Sequence, residues 1–168
     1  MIKVGTAGGR ARIMTDAGFF AVWDPACFHG IDDFETWESE VFDELERHED
    51  AGAIVSFHDA DGRYDVVVRI GSAGEPAELD EHESRYRTTT TGPCLFKSSG
   101  LAVISGIEYV GDDLDVSLQV DLPAGPWSIV VTRIDWSAEP GSHDADGKPS
   151  ATALPDFVLV INPADLAL

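Results

Sequence analysis

A chain of 168 residues has the length of about one ordinary domain, with enough sequence to bury a core unaided by metals or disulfides. Eleven Lys and Arg against 31 Asp and Glu give a formal net charge of −20, a field that repels phosphate backbones and attracts cations and basic proteins, so direct nucleic-acid binding is not expected. The hydrophobic content of 43%, including 4 Trp, 3 Tyr and 8 Phe, excludes disorder.

From its start, MIKVGTAGGRARIMT, the chain shows no uninterrupted apolar stretch behind a basic segment, and no run approaches the roughly 18 apolar residues of a membrane helix. A cytoplasmic protein with no membrane partner is expected. Gly5-Thr-Ala-Gly-Gly9 superficially looks like a phosphate loop, but RARIMT follows it, a strand pattern where the nucleotide reading needs a helix N-terminus. Residues 10–15 and 18–24 read as strands, the second stopped by Pro25.

Next comes a departure from the strand pattern. From Asp32 or Asp33 as N-cap, Phe34, Trp37, Val41 and Leu45 recur at three- and four-residue spacings with Phe42 beside them, predicting one amphipathic helix whose stripe faces the core. Ten acidic residues and one basic residue, Arg47, lie between Asp32 and Asp50. Glu35, Glu40, Asp43, Glu44 and Glu46 on the opposite face are the candidate partner-binding residues, and Glu38 is expected at the rim. Further along, 53–57 and 63–70 flank HDADG and predict a hairpin turning at Asp61-Gly62.

Residues 71–83 and 137–155, crowded with Gly, Pro, Ser and acids, read as long mobile loops. Strands are expected at 86–91, 101–110, 114–122, 127–136 and 157–161, with Asp121-Leu-Pro-Ala-Gly-Pro-Trp127 as a tight turn pairing 114–122 with 127–136. The fold class is mainly β: one antiparallel β-sandwich domain over residues 1–168, carrying one amphipathic α-helix.

Candidate chemistry is sparse. HDADG occurs at 58–62 and 143–147, so Asp59, Asp61, Asp144 and Asp146 form an alternative metal or small-ligand site. An EF-hand register fails, since it places Phe57 and Val68 where the first copy needs its terminal carboxylates, and Ser142 and Ala153 in the second. Cys27 and Cys94, 67 positions apart without a CxxC, read as small buried hydrophobes, and a Cys27–His29 nucleophile and base would need a facing geometry that near neighbours rarely adopt. No Walker lysine, GxSxG or HExxH occurs, and neither catalysis nor a cofactor is expected.

In order, Glu49-Asp-Ala-Gly-Ala-Ile-Val-Ser-Phe57, the 64–70 strand, Gly92-Pro-Cys-Leu-Phe96 after a Thr-rich stretch, Ser99-Gly-Leu-Ala-Val-Ile-Ser105 and Val116-Ser-Leu-Gln-Val-Asp-Leu-Pro-Ala-Gly-Pro-Trp-Ser-Ile-Val130 resemble the competence protein J family. That family is the small acidic inhibitor of the DNA-entry nuclease of competent bacilli. The resemblance runs from Thr36 to Trp136, and LPAGPWSIVV is close to the family's Leu-Pro-x-Gly-x-Tyr pattern with Pro-Trp in the last positions. It implies a non-catalytic inhibitor or immunity protein with a basic nuclease or toxin as partner, because carboxylates on its surface can occupy a cleft built for DNA. It supplies no catalytic residues.

Overall fold

Alternation governs β2 (Gly8–Thr15), where Ala11 and Ile13 are buried while Arg10 and Arg12 face outward, as a strand with one covered face requires. The computed structural model describes residues 2–4, 8–111 and 117–164, and of residues 2–4 the backbone alone. The other strands are β1 (Ile2–Val4), β3 (Phe19–Trp23), β4 (Ile54–His58), β5 (Gly62–Ile70), β6 (Arg87–Thr90), β7 (Cys94–Gly106), β8 (Leu118–Ile134) and β9 (Phe157–Pro163). They form one sheet in the order β2-β5-β9-β8-β7-β3-β4, with β1 and β6 also on β8.

This sheet folds over on itself. Phe20 of β3 stands 5.1 Å from Tyr64 of β5 and 6.0 Å from Phe157 of β9, ring centre to ring centre, although other strands separate them in the hydrogen-bonded order. Ile13, Phe20, Phe57, Val66, Phe96, Leu118, Ile129 and Leu159, from seven strands, pack in one core cluster between the two layers. The mainly β sandwich expected from the sequence is the fold observed, with two parallel pairings in an otherwise antiparallel sheet, β1 with β8 and β5 with β9.

Two expected hairpins are absent. β4 pairs with β3 and β5 pairs with β2 and β9, so the HDADG turn at 58–62 carries the chain between layers instead of reversing it within one. Asp59 fixes this corner, donating its N–H to the Gly18 carbonyl at 2.9 Å while its carboxylate holds Arg133. Likewise 118–134 is one continuous bent strand, antiparallel to β7 along both halves. Pro123-Ala-Gly125 bends it opposite an irregularity at Ser98–Gly100 of β7, so the Pro/Gly segment serves as a bulge. The proposed strand start at 114–116 and the loop residues 5–7 lie outside the described residues.

The outer face of β3, β4 and β7 carries a second cluster: Trp23, Val41, Ile54, Val103 and Ile107, with Trp37 and Leu45 packed against it. Behind β5 and β9, Val158 and Val160 pack with Leu79 and Tyr86. There the expected loop at 71–83 ends in α3 (Glu81–Tyr86), begun by a reciprocal cap in which Asp80 accepts from the Glu83 N–H and Glu83 accepts from the Asp80 N–H. Glu83 is 2% exposed and its carboxylate is held by the Arg69 guanidinium, which explains how a charge lies buried there.

Candidate functional site: the aromatic and acidic helical segment

The predicted helix is present but broken. Asp33 caps α1 (Phe34–Trp37), its Oδ1 accepting from the Thr36 N–H at 2.7 Å, and this bond holds the carboxyl below its ordinary pKa. Residues Glu38–Phe42 form a π turn, in which the Asp43 N–H donates to the Glu38 carbonyl five residues back. After Glu44 leaves helical geometry, α2 (Leu45–Ala51) runs to Gly52, whose φ of 75° is a left-handed cap that a side chain there would strain.

The π turn decides which side chains share a face. In an α-helix residues five apart diverge by about 140°, whereas a turn closed by i to i+5 bonds brings them together. Trp37 and Phe42 accordingly lie 5.7 Å apart, Phe34 stacks on Trp37 at 5.6 Å, and Phe42 meets Phe19 of β3 edge-on at 6.2 Å. Only Val41 is fully buried beneath; Trp37 is partly buried and donates its indole N–H to the Ile107 carbonyl at 3.0 Å.

Phe34 is 70% exposed and Phe42 44% exposed, which departs from the expectation that the stripe faces the core. Among the described residues, three large hydrophobics are this exposed, and these two are neighbours through Trp37. Beside them is a cleft of about 350 Å³ with Ile31, Val110 and Trp37 in its wall and Asp32, Asp33 and Glu108 at its rim.

Glu35, Glu40, Asp43 and Glu46 are exposed, and among the described residues no side chain engages their carboxylates. Glu44 is half-exposed and pairs with Arg47 at 2.6 Å. Glu38 is exposed, as expected for a rim position. The aromatic patch was missed because a uniform 100° wheel buries Phe34 and tolerates Phe42. The adjacent pair Val41-Phe42 carried the signal, since both cannot lie on one narrow stripe of a regular helix.

The other candidates sit elsewhere. Asp59 is engaged by Arg133, with the Tyr64 hydroxyl donating to it at 3.4 Å, and Asp61 is exposed nearby. Asp144 accepts at 2.9 Å from the N–H groups of both Asp146 and Lys148, so its carboxylate shapes its own loop, while Asp146 is exposed. Among the described residues no three His, Cys, Asp or Glu side chains gather in a metal-holding group. Cys27 is exposed, contrary to expectation, and Cys94 partly buried; both are free thiols. Desolvation and then the Asp24 carboxylate push the Cys27 thiol up, opposite to what a nucleophilic thiolate needs. Among the described residues no helix is long and apolar enough to cross a membrane.

No family model matches this chain, and no curated protein does. Solved structures do. The product of crocagin biosynthetic gene J aligns over 94% of this chain and 96% of its own, with 16% identity and a TM-score of 0.61. ComJ, the inhibitor of the DNA degrading activity of NucA from Bacillus subtilis, aligns over 92% of this chain and 95% of its own, with 13% identity and a TM-score of 0.52. This chain is similar to ComJ in fold. At such identities the likeness extends to the arrangement of strands and helices, so the aromatic and acidic segment must be argued from its own side chains.

Proposed function

We propose that this chain is a non-catalytic cytoplasmic protein that binds a basic protein, and that its partner is a nuclease or toxin which it holds inactive. The observation carrying this reading is the pairing of exposed Phe34 and Phe42 with the unengaged carboxylates of Glu35, Glu40, Asp43 and Glu46 on one short segment. Exposed aromatics in a cluster supply the desolvated centre that interfaces need, and the acids around them steer a basic surface into place. The fold-level similarity to ComJ, an inhibitor of a DNA degrading activity, supports an inhibitory role with a nuclease as partner.

Affinity capture from lysate of the source cells tests it, comparing wild type with a variant carrying Glu35→Gln, Glu40→Gln, Asp43→Asn, Glu44→Gln and Glu46→Gln. A basic protein retained by wild type at low salt, released as salt rises and lost from the variant is the expected result. Its nuclease activity should then fall on adding wild-type protein. Equal retention by the variant, or a partner that is acidic, overturns the reading.

A further inference from the structure

The second HDADG copy lies against the molecule's concentration of unpaired positive charge. In the β2–β5 pair Arg12 stands opposite Asp65 and Met14 opposite Arg63, so Arg12 and Arg63 project from the outer face, away from Ile13 and Val66 in the core. The 137–155 loop arches over them, closed on itself by a bridge between His143 and Pro149 and held to β2 by the Ala153 carbonyl, which accepts from Arg10 at 3.0 Å. Between loop and strands is a cleft of about 370 Å³, with Arg12, Arg63 and Lys148 as its cations and Trp136, Pro149 and Leu154 as its apolar wall.

Three carboxylates also line this cleft, yet each is already engaged. Arg10 grips Asp65 through Nε at 3.0 Å to both oxygens. Asp156 accepts from the Asp65 N–H at 2.8 Å and from the Trp136 indole at 3.0 Å, and Asp144 from two backbone N–H groups. Arg12, Arg63 and Lys148, by contrast, form no ion pair with any described residue, in a chain where acids outnumber bases 31 to 11. With Asp65 neutralised by Arg10, three cations face the carboxylates of Asp144 and Asp156, whose neutral N–H partners leave their charge in place, so the cleft keeps a small net positive charge that favours an anion.

We propose that this cleft binds a small organic oxyanion, its charged group between the Arg12 and Arg63 guanidinium groups and Lys148, its body against Trp136 and Leu154. Guanidinium groups meet phosphate or carboxylate in a bidentate fork, and the cleft has the volume of a small-ligand site. The site is independent of the acidic segment, which lies on the outer face of β3, β4 and β7.

Calorimetric titration of the full chain at low salt with phenyl phosphate, benzoate and the uncharged benzyl alcohol tests it. Saturable binding of at least one aryl anion and none of the alcohol is expected, and whichever anion binds tighter identifies phosphate or carboxylate as the preferred group. Arg12→Gln with Arg63→Gln should weaken that binding about tenfold or more. Lys148→Gln, on the loop and outside the sheet, should weaken it also, and unchanged melting temperatures show that both variants fold. No saturation by either anion at millimolar concentration, or undiminished binding in both variants, overturns the proposal.

Discussion

Replacing Phe34 and Trp37 separately by Ala separates an offered surface from a packed one. Burying a whole Phe side chain contributes about 1.5–3 kcal/mol, and with 70% of Phe34 in water the loss on truncation should be about 0.5–1 kcal/mol, part of it regained from the higher helix propensity of Ala. Trp37 is partly buried in the second cluster and its indole satisfies the Ile107 carbonyl, so its removal should cost about 2–3 kcal/mol, below the ~3–5 kcal/mol of a fully buried Trp. Urea unfolding followed by far-UV dichroism measures both, and a domain of this size loses about 2–4 °C of melting temperature per kcal/mol. Capture of the basic partner should fall sharply in Phe34→Ala despite its near-native stability. A loss above about 2 kcal/mol in Phe34→Ala would show that the ring is packed. Unchanged capture would remove it from the interface.

Arg69→Met strands the buried Glu83 carboxylate without its guanidinium and should cost about 2–4 kcal/mol in the same unfolding assay, whereas a loss under 1 kcal/mol would show that water reaches the group. Because the Thr36 N–H holds the Asp33 carboxyl below its ordinary pKa, its capping contribution is present above that ordinary value and is lost as pH falls through the lower, folded one. The melting-temperature gap between wild type and Asp33→Ala should accordingly narrow in acid, and a constant gap would contradict the assignment. Millimolar calcium, manganese or zinc should leave the melting temperature unchanged, since Asp59 is held by Arg133 and Asp144 by its own loop; a rise would restore the metal alternative.

Strand positions were legible wherever β-branched and aromatic residues were concentrated in short runs, as in β3, β5 and β9, because such residues fit a pleated strand with at least one covered face. Pairing was not. Asp61-Gly62 and Pro123-Ala-Gly125 tolerate a reversal, a corner or a bulge alike, and the choice was made by residues far away: Arg133 on Asp59 in one case, the irregularity at Ser98–Gly100 in the other. The acidic segment was visible as a helix from Asp33 onward, but the π turn at Glu38–Phe42 re-aimed Phe42, and a periodicity argument assumes the very regularity that the turn violates.

The parallel pairing of β5 with β9 also dictates an order of assembly. Val66 meets Phe157 and Ile70 meets Ile161, so β2 and β5, though finished early in synthesis, join the rest of the sheet only through a strand made about 90 residues later. Until then the edge of β5, with Val66, Val67 and Val68 in a row, offers a nascent chain the kind of template on which neighbouring chains pair wrongly. A net charge of −20 for the full chain makes identical chains repel one another during that interval, which opposes such wrong pairing.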